Sequence, residues 1–331
     1  MFQIECTKLW RWYHDSLSGF LDPKTQELQN QHDIVVGRGN GKETVRVPIF
    51  KPENFGKQMA IDEKQIGEEM HTIISNRQTG KIAVLARTVT SLPLKTLLDK
   101  YPQVCREVEV ITRDMSATYT KVSNEVFENA SQVADKFHIV RDLMESCQGV
   151  RVRYRQEILR EQRIARQKQK QQKGEPRTQP IEKELSNGET PLEALARSRY
   201  LLFKYPHQWT NSQQNRANAL FEEYPEIEKA YNLACQFRDW IKTENVGKKM
   251  SQITNELNQW FKRVDEQEVE EILNFKHTIE RNLMSVLNYF RFGVTNAMAE
   301  NINSRIQRFI MINQGTRHRE FFYFRVANYF S

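Results

Sequence analysis

The hydrophobic pattern of the chain changes its period near residue 140, and this change limits the folds open to it. Between residues 58 and 88 the short apolar runs are separated by polar turns, and Gly80 lies in one such turn. This pattern is typical of β-hairpins. A helix over SLPLKTLLDKY and a strand over VEVIT are predicted next. After His138 the apolar spacing becomes helical. The sequence therefore predicts an α/β layer followed by a helical region.

The length of the chain predicts more than one lobe. At 331 residues it exceeds what a single hydrophobic core usually fills. We predict four parts: an N-terminal segment 1–55, the first part of an α/β core 56–143, a helical insertion 144–289, and a last part of the core 290–331.

Composition excludes several classes of protein. No apolar run approaches the roughly 18 residues of a membrane helix, and the start of the chain lacks the pattern of a signal peptide. A cytoplasmic protein without a membrane partner is therefore predicted. The four cysteines show no C-x-x-C spacing, which argues against structural zinc and against a disulfide framework. No serine lies in a G-x-S-x-G motif, so a serine nucleophile is not indicated.

The positive charge is concentrated in one segment. The chain has a net charge of +7, and residues 151–173 hold nine Lys or Arg against two Glu, which equals the whole excess. Such segments bind nucleic-acid phosphates, although a solvated helix would carry the same charge. The residues that we predict to contact the DNA backbone are Arg151, Arg153, Arg155, Arg160 and Arg163.

Three acidic residues lie in three kinds of segment. Asp62 falls within a predicted strand, Asp114 follows VEVIT 52 positions later, and Glu300 falls in a predicted helix about 200° from the apolar position Met298. Strand ends are where open α/β sheets bind ligands. Three carboxylates would suit two hard divalent cations, which can stabilise both oxygens of an in-line phosphoryl displacement. Two alternatives stay open: each Asp pairs with a cation such as Arg113, and the Glu300 face is solvated.

Four segments in this order resemble the ISL-three family of bacterial insertion-sequence transposases, DDE enzymes with an RNase H-like fold. They are AIDEKQIGEEMHTIISNRQTGKIAVL, VEVITRDMSATYTKVSNEVFENASQVADKFHIV, RSRYLLFKYPHQWT and NYFRFGVTNAMAENINSRIQ. The resemblance implies an RNase H-like catalytic core with an all-α insertion domain. It also implies that Asp62, Asp114 and Glu300 are the catalytic acids and hold two magnesium or manganese ions.

The second resembling segment ends in ADKFHIV. Asp135 and His138 match a recurrent family segment that borders the active site. An alternative reading makes Phe137 a core residue and His138 a satisfied, partly buried imidazole.

The activity implied by the resemblance is DNA transposition. The enzyme would hydrolyse DNA at the element ends, and the freed 3′ hydroxyl would then attack target DNA. A homo-oligomer on DNA is implied as well. Many relatives begin with a zinc-binding segment and a helix-turn-helix that read the ends, whereas about 55 residues precede this core and contain one cysteine, Cys6. End recognition is therefore expected from another part or from a separate polypeptide.

Three rival functions remain. One is a truncated or repurposed transposase that binds DNA without cutting it. Another is a metal-dependent nuclease that lacks strand transfer. The third is a helical interaction protein, which would leave the β-rich first half and the acids unexplained.

Overall fold

The computed structural model describes residues 5–28, 31–38, 41–171, 183–293, 297–312 and 318–330. The side chains of residues 38, 169–171, 297–300 and 303 also lie outside the described part. The strands are β1 Ile34–Arg38, β2 Gly41–Val45, β3 Ile49–Phe50, β4 Gln58–Ile66, β5 Glu69–Asn76, β6 Ile82–Ala86, β7 Val110–Arg113 and β8 Ser131–Ala134. The helices are α1 Cys6–Trp12, α2 Pro23–Leu28, α3 Ser91–Leu98, α4 Pro102–Arg106, α5 Ala117–Val126, α6 Lys136–Gln171, α7 Pro191–Arg197, α8 Asn211–Glu223, α9 Pro225–Trp240, α10 Met250–Gln267, α11 Glu270–Arg281, α12 Leu283–Phe292, α13 Ala297–Ile312 and α14 Arg319–Phe330.

A six-stranded mixed sheet organises the first part of the chain. Its order is β3-β6-β5-β4-β7-β8, and β1 and β2 form a separate two-stranded sheet. Strands β3 to β6 pair antiparallel, as the predicted hairpins require, while β4, β7 and β8 run parallel. The tight turn between β5 and β6 contains Gly80, whose φ of 71° favours glycine. The predicted α/β class is thereby confirmed.

Each face of this sheet is covered by helices. On one face, Leu94 and Leu97 of α3 and Val122 of α5 pack with Ile61 and Ile74 of the strands. We call this side of the sheet the α3/α5 face. The opposite face, the α13/α14 face, is covered by α13 and α14. Its core contains Ile66, Ile73, Ile302, Ile306 and Val326. Because strand side chains alternate between faces, burial on both sides explains the continuous apolar run of β6 and the nearly continuous burial of β5.

The chain divides into two compact units. Residues 1–136 and 284–331 form the first unit, which contains the sheet, and residues 137–283 form the second. The described residues of the second unit form helices and short 3₁₀ turns but no strand. Its core is built from aromatic and aliphatic side chains of α9, α10 and α11, such as Phe237, Trp260 and Phe275, whose rings contact one another. This all-helical structure agrees with the helical spacing of apolar residues that the sequence shows after His138.

Candidate active site

The parallel pairing of β4 and β7 places Asp62 beside Asp114. Gln58 pairs with Val110 and Ala60 with Thr112, an offset of 52 residues that also separates Asp62 from Asp114. Asp114 directly follows the last residue of β7. Neighbouring strands lie about 4.8 Å apart, so this register, continued by two residues, brings the backbone of Asp62 next to that of Asp114 at the carboxyl end of β7. The spacing of 52 residues between the two acids in the sequence therefore equals the offset of the strand register.

The face on which Asp62 lies is fixed by its antiparallel neighbour. Asp62 pairs with Ile73 of β5, which belongs to the core of the α13/α14 face. Directly opposite residues of an antiparallel pair point to the same side of a sheet. Asp62 is 8% exposed, and one of its oxygens, Oδ1, accepts a hydrogen bond of 2.8 Å from the backbone N–H of Glu63. Asp62 therefore lies on the α13/α14 face of the sheet.

Asp114 is held by the turn that leads into α5. Its Oδ1 accepts a hydrogen bond of 2.8 Å from Ser116 N, and the Ser116 hydroxyl caps the helix by accepting from Tyr119 N. The neighbouring Arg113 is 2% exposed, and its guanidinium donates to Gln132 Oε1 and to the backbone carbonyl of Asp114. Burial lowers the pKa of Arg113 to about 10, and the charge of Asp114 opposes this change. Within the described residues, no ion pair within 4 Å involves the Asp114 carboxylate.

Asp135 extends the same row of acids onto a third strand. Arg113 pairs with Ala134, and Asp135 N donates to Arg113 O over 2.8 Å. Asp135 thus follows β8 at the position next to Asp114, and it is 2% exposed. Burial lowers the pKa of Arg77, and the charge of Asp135 offsets part of that effect. Asp135 and Asp62 are separated by two strand spacings, roughly 10 Å.

The part of the chain that the structure describes contains no group of three or more His, Cys, Asp or Glu side chains that could hold a metal ion. The donor chemistry of Asp62 and Asp114 nevertheless fits a hard divalent cation, because both offer carboxylate oxygens on adjacent strands. Glu300 belongs to α13, which packs on the face that carries Asp62, but its side chain lies outside the described part. Ile302 and Ile306, four residues apart on one side of this helix, are buried.

Tyr119 is a neighbour of the acids that the sequence pattern did not reveal. Its hydroxyl lies 3.1 Å from Thr72 Oγ1, and it donates there because the Thr72 hydroxyl donates to Thr88 O. Burial raises the pKa of Tyr119, and the charges of Glu63, Asp114 and Asp62 raise it further. The only sequence signal was the helical spacing of Tyr119, Val122 and Val126, which does not indicate a nearby site.

The junction at β8 and α6 differs from one of the two readings of the sequence. Phe137 is 55% exposed, so the reading that made it a core residue is wrong. Phe137 is the second residue of α6. His138 is 9% exposed. Burial raises the pKa of Asp142, one turn further along α6, and the charge of Arg141 opposes this change.

The five arginines predicted to contact DNA do not share one environment. Arg151 is 7% exposed and donates to Gln148 Oε1 and Leu195 O, both over 2.7 Å. Arg153 donates to Glu226 and Glu271, and these hydrogen bonds raise its pKa. Both side chains therefore hold helices of the second unit together. Arg151 in particular is too buried for the DNA contact that its charge suggested.

The remaining arginines are more accessible. Arg155 is half-buried, and Arg160 and Arg163 are exposed. Arg163 lines a small groove of about 280 Å³ together with Leu159, Gln162, Arg166 and Gln167. At about 100° per residue, Arg155, Arg163 and Arg166 fall within one sector of the helix, away from Glu157 and Glu161. Among the described residues, none of these three arginines forms an ion pair.

Comparison with known proteins identifies the class of the molecule. A family model described as a transposase, that of the ISL-three group of DDE enzymes, matches residues 59–326. No curated protein and no solved structure gives a match. The matched range covers most of the chain, so the protein is a DDE transposase. It belongs to the ISL-three family, as the four resembling segments predicted.

Membership of this family carries several general properties. DDE transposases cut or join polynucleotide chains, act on DNA and generally use divalent metal ions. In the described part of the chain, no helix is both long and apolar enough to cross a membrane.

Proposed function

We propose that this transposase hydrolyses phosphodiester bonds at the ends of an insertion sequence and then joins the freed 3′ hydroxyl to target DNA. The observation that supports the proposal is the parallel register of β4 and β7, in which Ala60 pairs with Thr112, two residues before Asp62 and Asp114 respectively. A pair of carboxylates at that position would hold divalent metal ions close to a phosphodiester. The β4-β7-β8 arrangement with covering helices is compatible with an RNase H-like core.

Glu300 is proposed as the third acid of the site. It lies in α13, and the buried residues Ile302 and Ile306 fix that helix against the sheet face on which Asp62 lies. Asp135 stands one strand further from Asp62 than Asp114 does, so a third ligand from α13 is the better candidate. Two magnesium or manganese ions held by Asp62, Asp114 and Glu300 would stabilise the attacking and leaving oxygens.

The chain's own residues would perform the remaining tasks. Ser116 and the α5 cap hold the Asp114 carboxylate in place, and Arg113 fixes the strand end beneath it. Asp135 and His138 border the site in this proposal. Arg155, Arg160 and Arg163 of α6 would bind DNA phosphates, and the second unit would be the all-α insertion of the family. We further propose that the enzyme acts as a homo-oligomer on DNA and that end recognition involves another part or a separate polypeptide.

The test compares the wild type with Asp114→Asn for magnesium- and manganese-dependent cleavage of DNA that carries the element ends. We expect Asp114→Asn to lose at least about 10³-fold in rate, since several kcal/mol of charge stabilisation depend on the carboxylate. Strand transfer is read from joined products in the same reactions.

Glu63→Gln is the matched control for this test. Glu63 is the exposed neighbour of Asp62 and points to the opposite face of β4. The cleavage rate of the Glu63→Gln variant should stay near that of the wild type. Equal activity of Asp114→Asn and the wild type would refute the proposed site. Cleaved but never joined products would favour a nuclease that lacks strand transfer.

A further inference from the structure

The first unit contains a groove near the proposed site that no role yet explains. It has a volume of about 620 Å³ and is lined by Lys64, Ser304, Gln307, Arg308, Met311 and Ile312. Lys64 belongs to β4, and the other lining residues belong to α13. We call it the Lys64–Arg308 groove. Its wall is well supported, because Ile302 and Ile306 of α13 are buried against Ile66 of β4.

The chemistry of this groove suits an anionic polymer. Of its described lining residues, Lys64 and Arg308 are cationic and none is acidic. Among the described residues, neither cation forms an ion pair within 4 Å. The Ser304 hydroxyl and the Gln307 amide add neutral hydrogen-bond donors. A half-buried lysine and an exposed arginine beside neutral donors form a surface that binds phosphate through charge and hydrogen bonds.

The groove also offers apolar surface. Met311 is 59% exposed and Ile312 is 75% exposed. A nucleic-acid strand presents charged phosphates together with less polar sugars and bases, so it can contact both kinds of wall. A small inorganic anion would contact only the cationic part. The mixed lining therefore favours a DNA strand as the occupant.

The position of the groove relates it to the acids. Lys64 is two residues after Asp62 on β4, and the two side chains therefore project from the same face. Two strand residues span roughly 7 Å, which corresponds to about two nucleotides at 3.4 Å per nucleotide along a duplex axis. A strand that reaches Asp62 would thus pass Lys64 close to the point of cleavage.

We propose that the Lys64–Arg308 groove binds the DNA backbone beside the scissile phosphate. Lys64 and Arg308 pair with phosphates, Ser304 and Gln307 donate hydrogen bonds, and the apolar end contacts sugar or base. These are positioning residues, since they hold the strand and do not contact the reacting atoms. The location of the cut rests on the proposed function, whereas the binding of DNA by the groove can be measured without cleavage.

The experiment measures the affinity of the full chain for a fluorescein-labelled DNA duplex that carries the element end, in EDTA and over a series of salt concentrations. The test variant is Lys64→Gln/Arg308→Gln. The control is Lys100→Gln/Lys121→Gln, which removes the same charge from exposed positions in the first unit that do not line the groove. Circular dichroism and thermal midpoints establish that both variants are folded.

We expect the groove variant to bind about tenfold or more weakly at low salt, and its salt slope to fall by about 1.8, as the loss of two phosphate contacts predicts. The control should bind like the wild type. Equal affinity and equal slope of the groove variant and the control would overturn the inference.

A second measurement locates the contact on the DNA. Single phosphates next to the cleavage site are replaced by neutral methylphosphonates. At one position, the replacement should weaken binding by the wild type and have no further effect on the groove variant. If the groove substitutions and the phosphate replacement weaken binding independently at every position, so that their effects add, the groove does not contact these phosphates directly. If this coupling is found but the wild type does not cleave, the groove is supported and the proposed cleavage is wrong.

Discussion

At the scale of single residues, the buried imidazole of His71 links the sheet to the last helix. The side chain is 0% exposed, its Nδ1–H donates to Glu69 O over 3.1 Å, and its Nε2 accepts from the Tyr323 hydroxyl over 2.7 Å. Burial lowers the pKa of His71 from 6.5 to about 4, Glu69 opposes this change, and Arg87 and Arg319 add to it. A neutral imidazole therefore satisfies both partners.

This pKa makes stability depend on pH. The folded state resists protonation between pH 6.5 and about 4, while the unfolded state takes up the proton. The contribution of His71 is therefore present above pH 6.5 and is lost as the pH falls to about 4, by up to roughly 3 kcal/mol. We expect His71→Gln to flatten the pH dependence of urea unfolding across this window. His277→Gln, which changes an exposed histidine, is the control. An unchanged slope in His71→Gln would contradict the assignment.

At the scale of elements, the arginines of α6 lie in two different environments. Arg151 and Arg153 in its middle hold the helices of the second unit, while Arg155, Arg160 and Arg163 are more accessible. The basic composition of the segment does not distinguish these groups. The tertiary structure distinguishes them. For example, Glu271 of α11, which is 118 residues from Arg153 in the sequence, accepts a hydrogen bond from the Arg153 guanidinium.

The two groups of arginines predict two different outcomes. Replacing Arg155, Arg160 and Arg163 by Gln should reduce the salt slope of DNA binding by up to about 2.7 and leave thermal stability near the wild-type value. Arg153→Gln should instead cost about 1–3 kcal/mol of stability, because it leaves Glu226 and Glu271 half-buried without their cation. DNA titrations and urea unfolding measure these effects. A stable Arg153→Gln protein with a reduced salt slope would reverse the assignment.

At the scale of the whole molecule, the division into two units predicts independent folding. The chain enters the second unit once, after residue 136, and leaves it once, after residue 283. Its core includes Trp240 and Trp260, whose indole N–H groups donate to Ile253 O and Leu233 O within the same unit. Nothing in these contacts depends on the sheet.

We therefore expect a fragment of residues 137–283 to be helical and to unfold cooperatively. Its tryptophan emission should be blue-shifted, because Trp240 and Trp260 are buried, and it should shift to the red on unfolding. Circular dichroism and fluorescence across a urea titration test this expectation, with Trp260→Phe as the control for the signal. Gradual unfolding that differs between the two probes would show that the fragment needs the rest of the chain.

Much of the fold follows from local patterns. The hairpins of β4, β5 and β6, the strand before Asp114 and the helical region after His138 were predictable because period and turn residues act over a few positions. One interpretation of the sequence wrongly placed Phe137 in the core. A single aromatic residue does not show from the sequence whether its side chain is buried or exposed. The site residues stay predictions, and Glu300 has no described side chain that would test it.

The sequence by itself determined the α/β class, the transposase family and the regions in which the acids lie, since each depends on local periodicity or on ordered motifs. The tertiary structure decided the strand register that sets Asp62 beside Asp114 and Asp135 beyond it. It also decided which arginines are buried. Two further features depend on it: the contact of His71 with Tyr323, 252 residues away in the sequence, and the groove between β4 and α13. These features depend on contacts between distant segments, and hydrophobic patterning specifies which residues are buried without specifying which residue each one meets.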